Sequence, residues 1–315
     1  MMRTMQRAFE GSSMSYEGDL EVFRRLKAHV DSRRTGMPDD ERPSLFVLGG
    51  MLRGAYGAGS LLAFEEAGFR DAFESALGIS TGAPSLAYFL ASQPERTDIY
   101  YEECADPRVF DFIGPFRGQR IINTRFLADL FQGKIGHKPL DVACLRKSRT
   151  RFYVPLAEYE TAKLKMIEMH KASDPIEALH AAISMPFFSN PVTLDGVAYV
   201  DGGVTDPFPL KEMIDREKPT SIVVLSNSPR GWEYPWLYLF ARFVSRFFLP
   251  TVLSKAMDKA FVSYHELFES LRTSGIPYVI IWGDREVGAF TRDPKTLRGA
   301  IERSRDFTRN LIMPV

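Results

Sequence analysis

Twice between Ser44 and Gln93 the chain passes from a short apolar run through a glycine-bearing turn into a segment of helical spacing, and this repeated pattern limits the fold more than any other feature. "SLFVL" is apolar and bounded by turn signals, as a buried strand is, and "GGMLRG" follows at its end. In "AYGAGSLLAFEEAG", Leu61, Leu62, Phe64 and Ala67 recur at helical spacing, and Gly68 stands where a helix stops. "FESALGI" then leads into Ser80, and "APSLAYFLASQ" reads as a second helix. This order opens an α/β fold whose parallel strands lie buried between helix layers.

Later segments extend the pattern. "NTRFLADLFQG" reads as a helix, and "RFYVPLAEY" with "KLKMIEMH" as a strand pair. "SDPIEALHAAIS" is a helix with Asp174 as N-cap, Pro175 as first residue and Glu177 at the capping-box position. "PVTLDGVAYVDGG" is a hairpin turning at Asp195-Gly196, whose second strand delivers Asp201 into a Gly-Gly turn. "TSIVVLSN" and "PYVIIWG" are strands flanking an aromatic helical region from about 233 to 271, and "DPKTLRGAIERSRDFTRNLI" is an amphipathic helix. The expected organisation is a charged lead-in over 1–43, with a helix at about 18 to 32, and one domain over 44–315. Its core spans about 44–225; a helical extension and a last strand occupy 226–315.

Charge excludes some functions. Lys+Arg and Asp+Glu both number 40, so no net field draws the protein to nucleic acid or to an anionic membrane. Cys104 and Cys144 are the two cysteines, and neither has the spacing of a metal site or a disulfide framework. With no apolar run at the N-terminus to serve as a secretory signal, the expected location is cytoplasmic. In "YPWLYLFARFVSRFFLPTVL" Arg242, Arg246, Pro235 and Pro250 interrupt what would otherwise approach a membrane span.

Ser80 lies in "GISTGAP", flanked two residues away on each side by Gly78 and Gly82. A tight turn between strand and helix needs glycines there, and the helix N-terminus favours negative charge on the serine. The spacing also suits a corner of small residues. "GGMLRGAYGAG" lacks the Gly-Lys-Ser/Thr of a phosphate loop and the spacing of a dinucleotide fold, so its N–H groups are better suited to the oxyanion of an acyl intermediate. Arg53 either braces this loop or meets a lipid phosphate, and bracing is favoured. Of His29, His137, His170, His180 and His265, none stands in a glycine-rich turn after a strand, whereas Asp201 does, followed by Gly202 and Gly203.

In this order "LGGMLRGAYGAGSL", "GISTGAP" and "VDGG" resemble the signatures of the patatin-like phospholipases, and the resemblance runs from about Ser44 to Leu225. It implies a three-layer α/β/α fold with a mainly parallel central sheet, and a Ser-Asp dyad with Ser80 as nucleophile and Asp201 as base. It further implies an oxyanion loop over Gly49, Gly50, Met51, Arg53 and Gly54, an acyl-lipid or phospholipid substrate, and no cofactor or metal. One departure is Met51, where the family carries a third glycine: the N–H donor survives, but backbone freedom is lost and bulk is added. Two other readings stay open, a Ser80-Asp201-His265 triad and a lipid-binding protein without turnover. Residues 232–253, with Trp232, Trp236, Tyr238, Phe240, Phe243, Phe247 and Phe248, either line an acyl channel, pack as a core helix or touch a membrane surface peripherally.

Overall fold

Strand β2 (Pro43–Val47) is buried along its whole length, and its side chains alternate between two cores. The computed structural model describes residues 14–231, 243, 245–262 and 267–313, leaving out the side chains of 115, 116, 261 and 262. Leu45 and Val47 point into one hydrophobic cluster and Phe46 into the other. Strands β8 (Ser221–Pro229) and β9 (Tyr278–Gly283) alternate likewise: Val223, Leu225, Val279 and Ile281 join the first, Ile222, Val224, Ile280 and Trp282 the second. A strand apolar on both faces needs a helix layer on each. Helices α1 (Glu21–Thr35), α2 (Gly54–Glu66), α3 (Gly82–Leu90) and Pro294–Ile312 supply the first layer, while Leu210–Glu217 and Leu271 of Glu269–Arg272 contribute to the second.

The described strands form one nine-stranded sheet, ordered β1 (Ser15–Gly18), β9, β8, β2, β3 (Ser75–Gly78), β4 (Arg151–Glu158), β7 (Val197–Asp201), β6 (Val192–Leu194), with β5 (Leu164–Glu168) also on β4. From β9 through β8, β2 and β3 to β4 all pairings are parallel, and the outer pairings are antiparallel. The architecture is thus the expected three-layer α/β/α fold with a parallel centre. Because β2 lies between β3 and β8, the chain leaves the carboxyl ends of neighbouring strands in opposite directions, which opens a crevice there.

Residues 15–35, read from sequence as lead-in, add an edge strand to this sheet and bury Val22, Phe23, Leu26 and Val30 in the first core. Asp174 caps its helix by accepting from the N–H groups of Ile176 and Glu177, both at 3.0 Å. The Glu177 carboxylate, however, meets Arg125 and His180, so it serves tertiary contacts where a capping-box role was expected. The hairpin turns at Asp195 and Gly196, at φ 52° and 79°, as a type I′ turn requires. Residues 232–242, including Trp232, Trp236, Tyr238, Phe240 and Arg242, lie outside the described residues, as does His265.

Candidate active site

At the end of β3 the chain reverses within a few residues. The Ile79 N–H reaches the Val47 carbonyl at 3.0 Å, and Ser80 adopts φ 52°, in the left-handed region a residue with a side chain enters at a cost of about 1–2 kcal/mol. The Ala83 N–H then bonds the Ser80 carbonyl as α3 begins. The flanking glycines have a steric reason: a Cβ on Gly82 would collide with the Val47 carbonyl oxygen, and one on Gly78 would come within 2.6 Å of the Ala83 Cα. Any side chain at either position would force β2, β3 and α3 apart.

The glycine loop at the end of β2 faces this turn. A Cβ on Gly49 would sit 2.6 Å from the Ser80 Cβ, so only a bare backbone fits beside the serine. Gly50 has φ 151° and Met51 φ 56°, after which a 3₁₀ turn over Met51–Arg53 leads into α2. Among the described residues no group accepts from the Gly49 or Gly50 N–H, and both residues line the cavity described below. They lie close before the N-terminus of α2, where the helix dipole favours negative charge. Arg53 is buried with its Cβ and Nε against Gly50, the place of a brace, although it also lines the cavity. Gly54 makes room for the Tyr100 hydroxyl.

A residue that sequence reasoning passed over holds the loop. Asn227, fully buried near the end of β8, donates from Nδ2 to the Leu48 carbonyl and accepts from the Gly57 N–H at 2.7 Å. It therefore ties β8, the loop and α2 together. The available signal was an amide inside the apolar run "IVVLSN". Replacing Asn227 by Ala is expected to leave two buried polar groups unpaired and cost about 3 kcal/mol. A thermal melt checks this. From above, the Leu52 N–H bonds the Ala289 carbonyl at 3.2 Å, which anchors the segment 284–290 that follows β9. Buried Asp284 orders that segment, accepting from the Glu286 N–H and from the Tyr56 hydroxyl, which itself accepts from the Val287 N–H.

Asp201 enters from the other side, at the end of β7. Its N–H bonds the Ser184 carbonyl at 3.1 Å, and its Oδ1 accepts from the Gly203 N–H at 2.9 Å, so backbone groups fix the carboxylate. Gly202 packs against the Pro155 carbonyl too closely for any Cβ. Burial pushes the Asp201 carboxyl up to about 6 from its ordinary 3.8, although hydrogen bonding from the Ser80 side chain and the Gly203 N–H works in the opposite direction.

Ser80, Asp201, Gly49, Gly50, Met51, Arg53 and Gly203 all line one cavity of about 590 Å³. Most of its remaining wall is apolar, including Ile79, Met185, Phe188, Val204, Leu267 and Phe290. Such a space suits an elongated apolar ligand with a polar group at one end. None of His29, His137, His170 and His180 lines it. His180 instead bonds Thr124 and Glu177, and His29 bonds Asp39. Cys104 is buried, with its thiol pushed up to about 12 by burial, and does not line the cavity either.

A family model described as patatin-like phospholipase matches residues 45–214, more than half of the chain. A protein of Escherichia coli (strain K12) described as uncharacterized protein YjjU is 27% identical over 195 residues, or 61% of this chain and 54% of that protein. The chain thus spans about half the length of that relative. Among solved structures, VipD from Legionella pneumophila superposes with a TM-score of 0.47 at 12% identity, over 99% of this chain and 70% of VipD. Full-length ExoU in complex with SpcU, from the type III secretion system of Pseudomonas aeruginosa, gives 0.42 at 15% identity, over 99% of this chain and 56% of ExoU.

Proposed function

The chain belongs to the patatin-like phospholipase family, and we propose that it is a lipid acyl hydrolase in which Ser80 is the nucleophile and Asp201 the general base. The observation that carries this reading is the meeting of Ser80, a raised Asp201 carboxyl and two unengaged glycine N–H groups at one apolar cavity. A carboxylate with an ordinary pKa near 4 is a weak base toward a serine; at about 6 Asp201 is a stronger one and is still ionised at neutral pH.

In the proposed reaction the Asp201 carboxylate takes the Ser80 proton as Oγ attacks the ester carbonyl carbon. The tetrahedral oxyanion is stabilised by the N–H groups around Gly49, Gly50 and Met51. Collapse breaks the bond to the alcohol, whose oxygen takes the proton back from Asp201, and Ser80 is left acylated. Water then attacks the acyl carbon, gives its proton to Asp201 and releases the fatty acid as the proton returns to Ser80. The apolar wall supports an acyl chain as the group bound on the carbonyl side.

The test is fatty-acid release from dispersed phospholipid. Turnover is the expected result, whereas a folded protein that binds this lipid and releases nothing would identify the non-catalytic lipid-binding reading instead. Met51 sharpens the test, because it holds φ 56° while its half-buried side chain packs on the core. Met51→Gly removes a backbone strain of about 1 kcal/mol and a packing contribution of similar size. The melting temperature is therefore expected to move by only a few degrees while long-chain ester turnover rises as the cavity gains room. Lower turnover would make the methionine side chain part of the acyl site.

A further inference from the structure

From Phe188 and Phe290, which both line the cavity, an aromatic ribbon runs out to two exposed apolar tips. Phe112 packs on Phe290 with ring centroids 5.8 Å apart, Phe290 on Phe188 at 6.2 Å, Phe188 on Phe187 at 5.5 Å and Phe187 on Phe248 at 6.3 Å. One tip is Phe112 with Ile113, the latter 66% exposed; the other is Phe243, Phe247 and Phe248, the last two 71% and 69% exposed. Phe187, at the bend, has φ 77°, a conformation a bulky residue adopts only when its surroundings enforce it. Leaving this much aromatic surface in water is unfavourable, and here it is continuous with the cavity wall at Phe188 and Phe290.

Cations accompany both tips. The Arg292 guanidinium lies 5.4 Å from the centre of the Phe112 ring, the exposed Arg117 pairs with Asp111 beside that tip, and at the other the exposed Arg246 pairs with Asp258 at 3.1 Å. Apolar rings with arginines beside them match a bilayer interface, where rings enter the acyl boundary and guanidinium groups meet phosphates. Because the ribbon that joins the tips includes Phe188 and Phe290 of the cavity wall, a lipid surface covering both tips would lie against the cavity that the hydrolase reading fills with lipid.

We infer that Phe112 with Ile113, and Phe243 with Phe247 and Phe248, are two prongs of one membrane-docking face that seats the cavity against a lipid surface. Only the choice of occupant rests on the hydrolase reading above. The Phe112–Ile113 prong has no counterpart in the aromatic run of the sequence and stands out only in three dimensions. Docking needs both prongs, since either alone leaves the exposed apolar side chains of the other in water.

Co-sedimentation with phosphatidylcholine vesicles containing phosphatidylglycerol tests this. The assay uses full-length Ser80→Ala protein, so that binding is read without turnover and failure of the hydrolase reading does not disturb it. The parent is expected to sediment with the vesicles, and Phe112→Ser/Ile113→Ser and Phe247→Ser/Phe248→Ser each to bind about tenfold more weakly or worse, while still melting cooperatively within a few degrees of the parent. A parent that stays in solution, or either double variant binding like the parent, overturns the proposal. So does sedimentation velocity showing a dimer that dissociates in either variant, which would assign the face to a second copy.

Discussion

A Ser80→Ala protein is expected to lose at least about 10³-fold in hydrolysis of acyl esters while melting within a few degrees of the wild type. The size of the loss follows from chemistry, because an alanine cannot form the acyl-enzyme and only positioning and oxyanion stabilisation of a direct water attack remain. The small stability change follows from structure. Alanine meets the same strain at φ 52° as serine, and the hydrogen bonds from Ile79 and Ala83 that shape the turn involve backbone alone. Steady-state turnover on short-chain and long-chain esters, beside a thermal melt, checks both halves. Retained activity with either substrate would remove Ser80 from the reaction.

Asp201→Asn is expected to lower turnover by about 10²- to 10⁴-fold and, at about pH 8, to make the protein more stable. The two effects have one cause. Burial holds the folded pKa at about 6, above the ordinary 3.8, so the folded state binds this proton more tightly than the unfolded chain does. The stability this contributes is complete below about pH 3.8 and is lost as the pH rises through about 6. Above that, the wild type carries a buried charge costing about 3 kcal/mol, which the neutral amide avoids. The melting temperatures of wild type and Asp201→Asn should therefore separate progressively between about pH 4 and pH 6 and stay apart by a constant amount above that. In the wild type, hydrolysis should fall about tenfold per pH unit below about pH 6 as Asp201 takes up its proton. Equal stability at high pH, or a rate flat through pH 5, would contradict the raised pKa.

What could be read from the chain was whatever depends on neighbours in sequence. The run "SLFVL", the cap at Asp174 and the turn at Asp195-Gly196 each declare a local conformation, and each forms as expected. The glycines around Ser80 were legible for the same reason, because a turn too tight for side chains leaves its mark at fixed spacing. Contacts between distant segments were not legible. Val22, Phe23, Leu26 and Val30 make a buried stripe in α1, but the charged residues between them gave 1–43 the look of a solvated lead-in. Asn227 and Asp284 matter through partners more than 150 residues away in the chain, joined by a sheet order that does not follow the sequence. Likewise no motif indicates how far burial lifts the Asp201 carboxyl, because that depends on the walls that close around it.

Nucleophilic serine chemistry at the cavity is the claim on which the rest depends, and reaction of the native protein with a fluorophosphonate, followed by mass spectrometry of its peptides, tests it most directly. The account predicts one phosphonyl group per chain, attached to Ser80, absent from Ser80→Ala and formed far more slowly in Asp201→Asn. A folded protein that takes up no label, or takes it up at a residue other than Ser80, would contradict it.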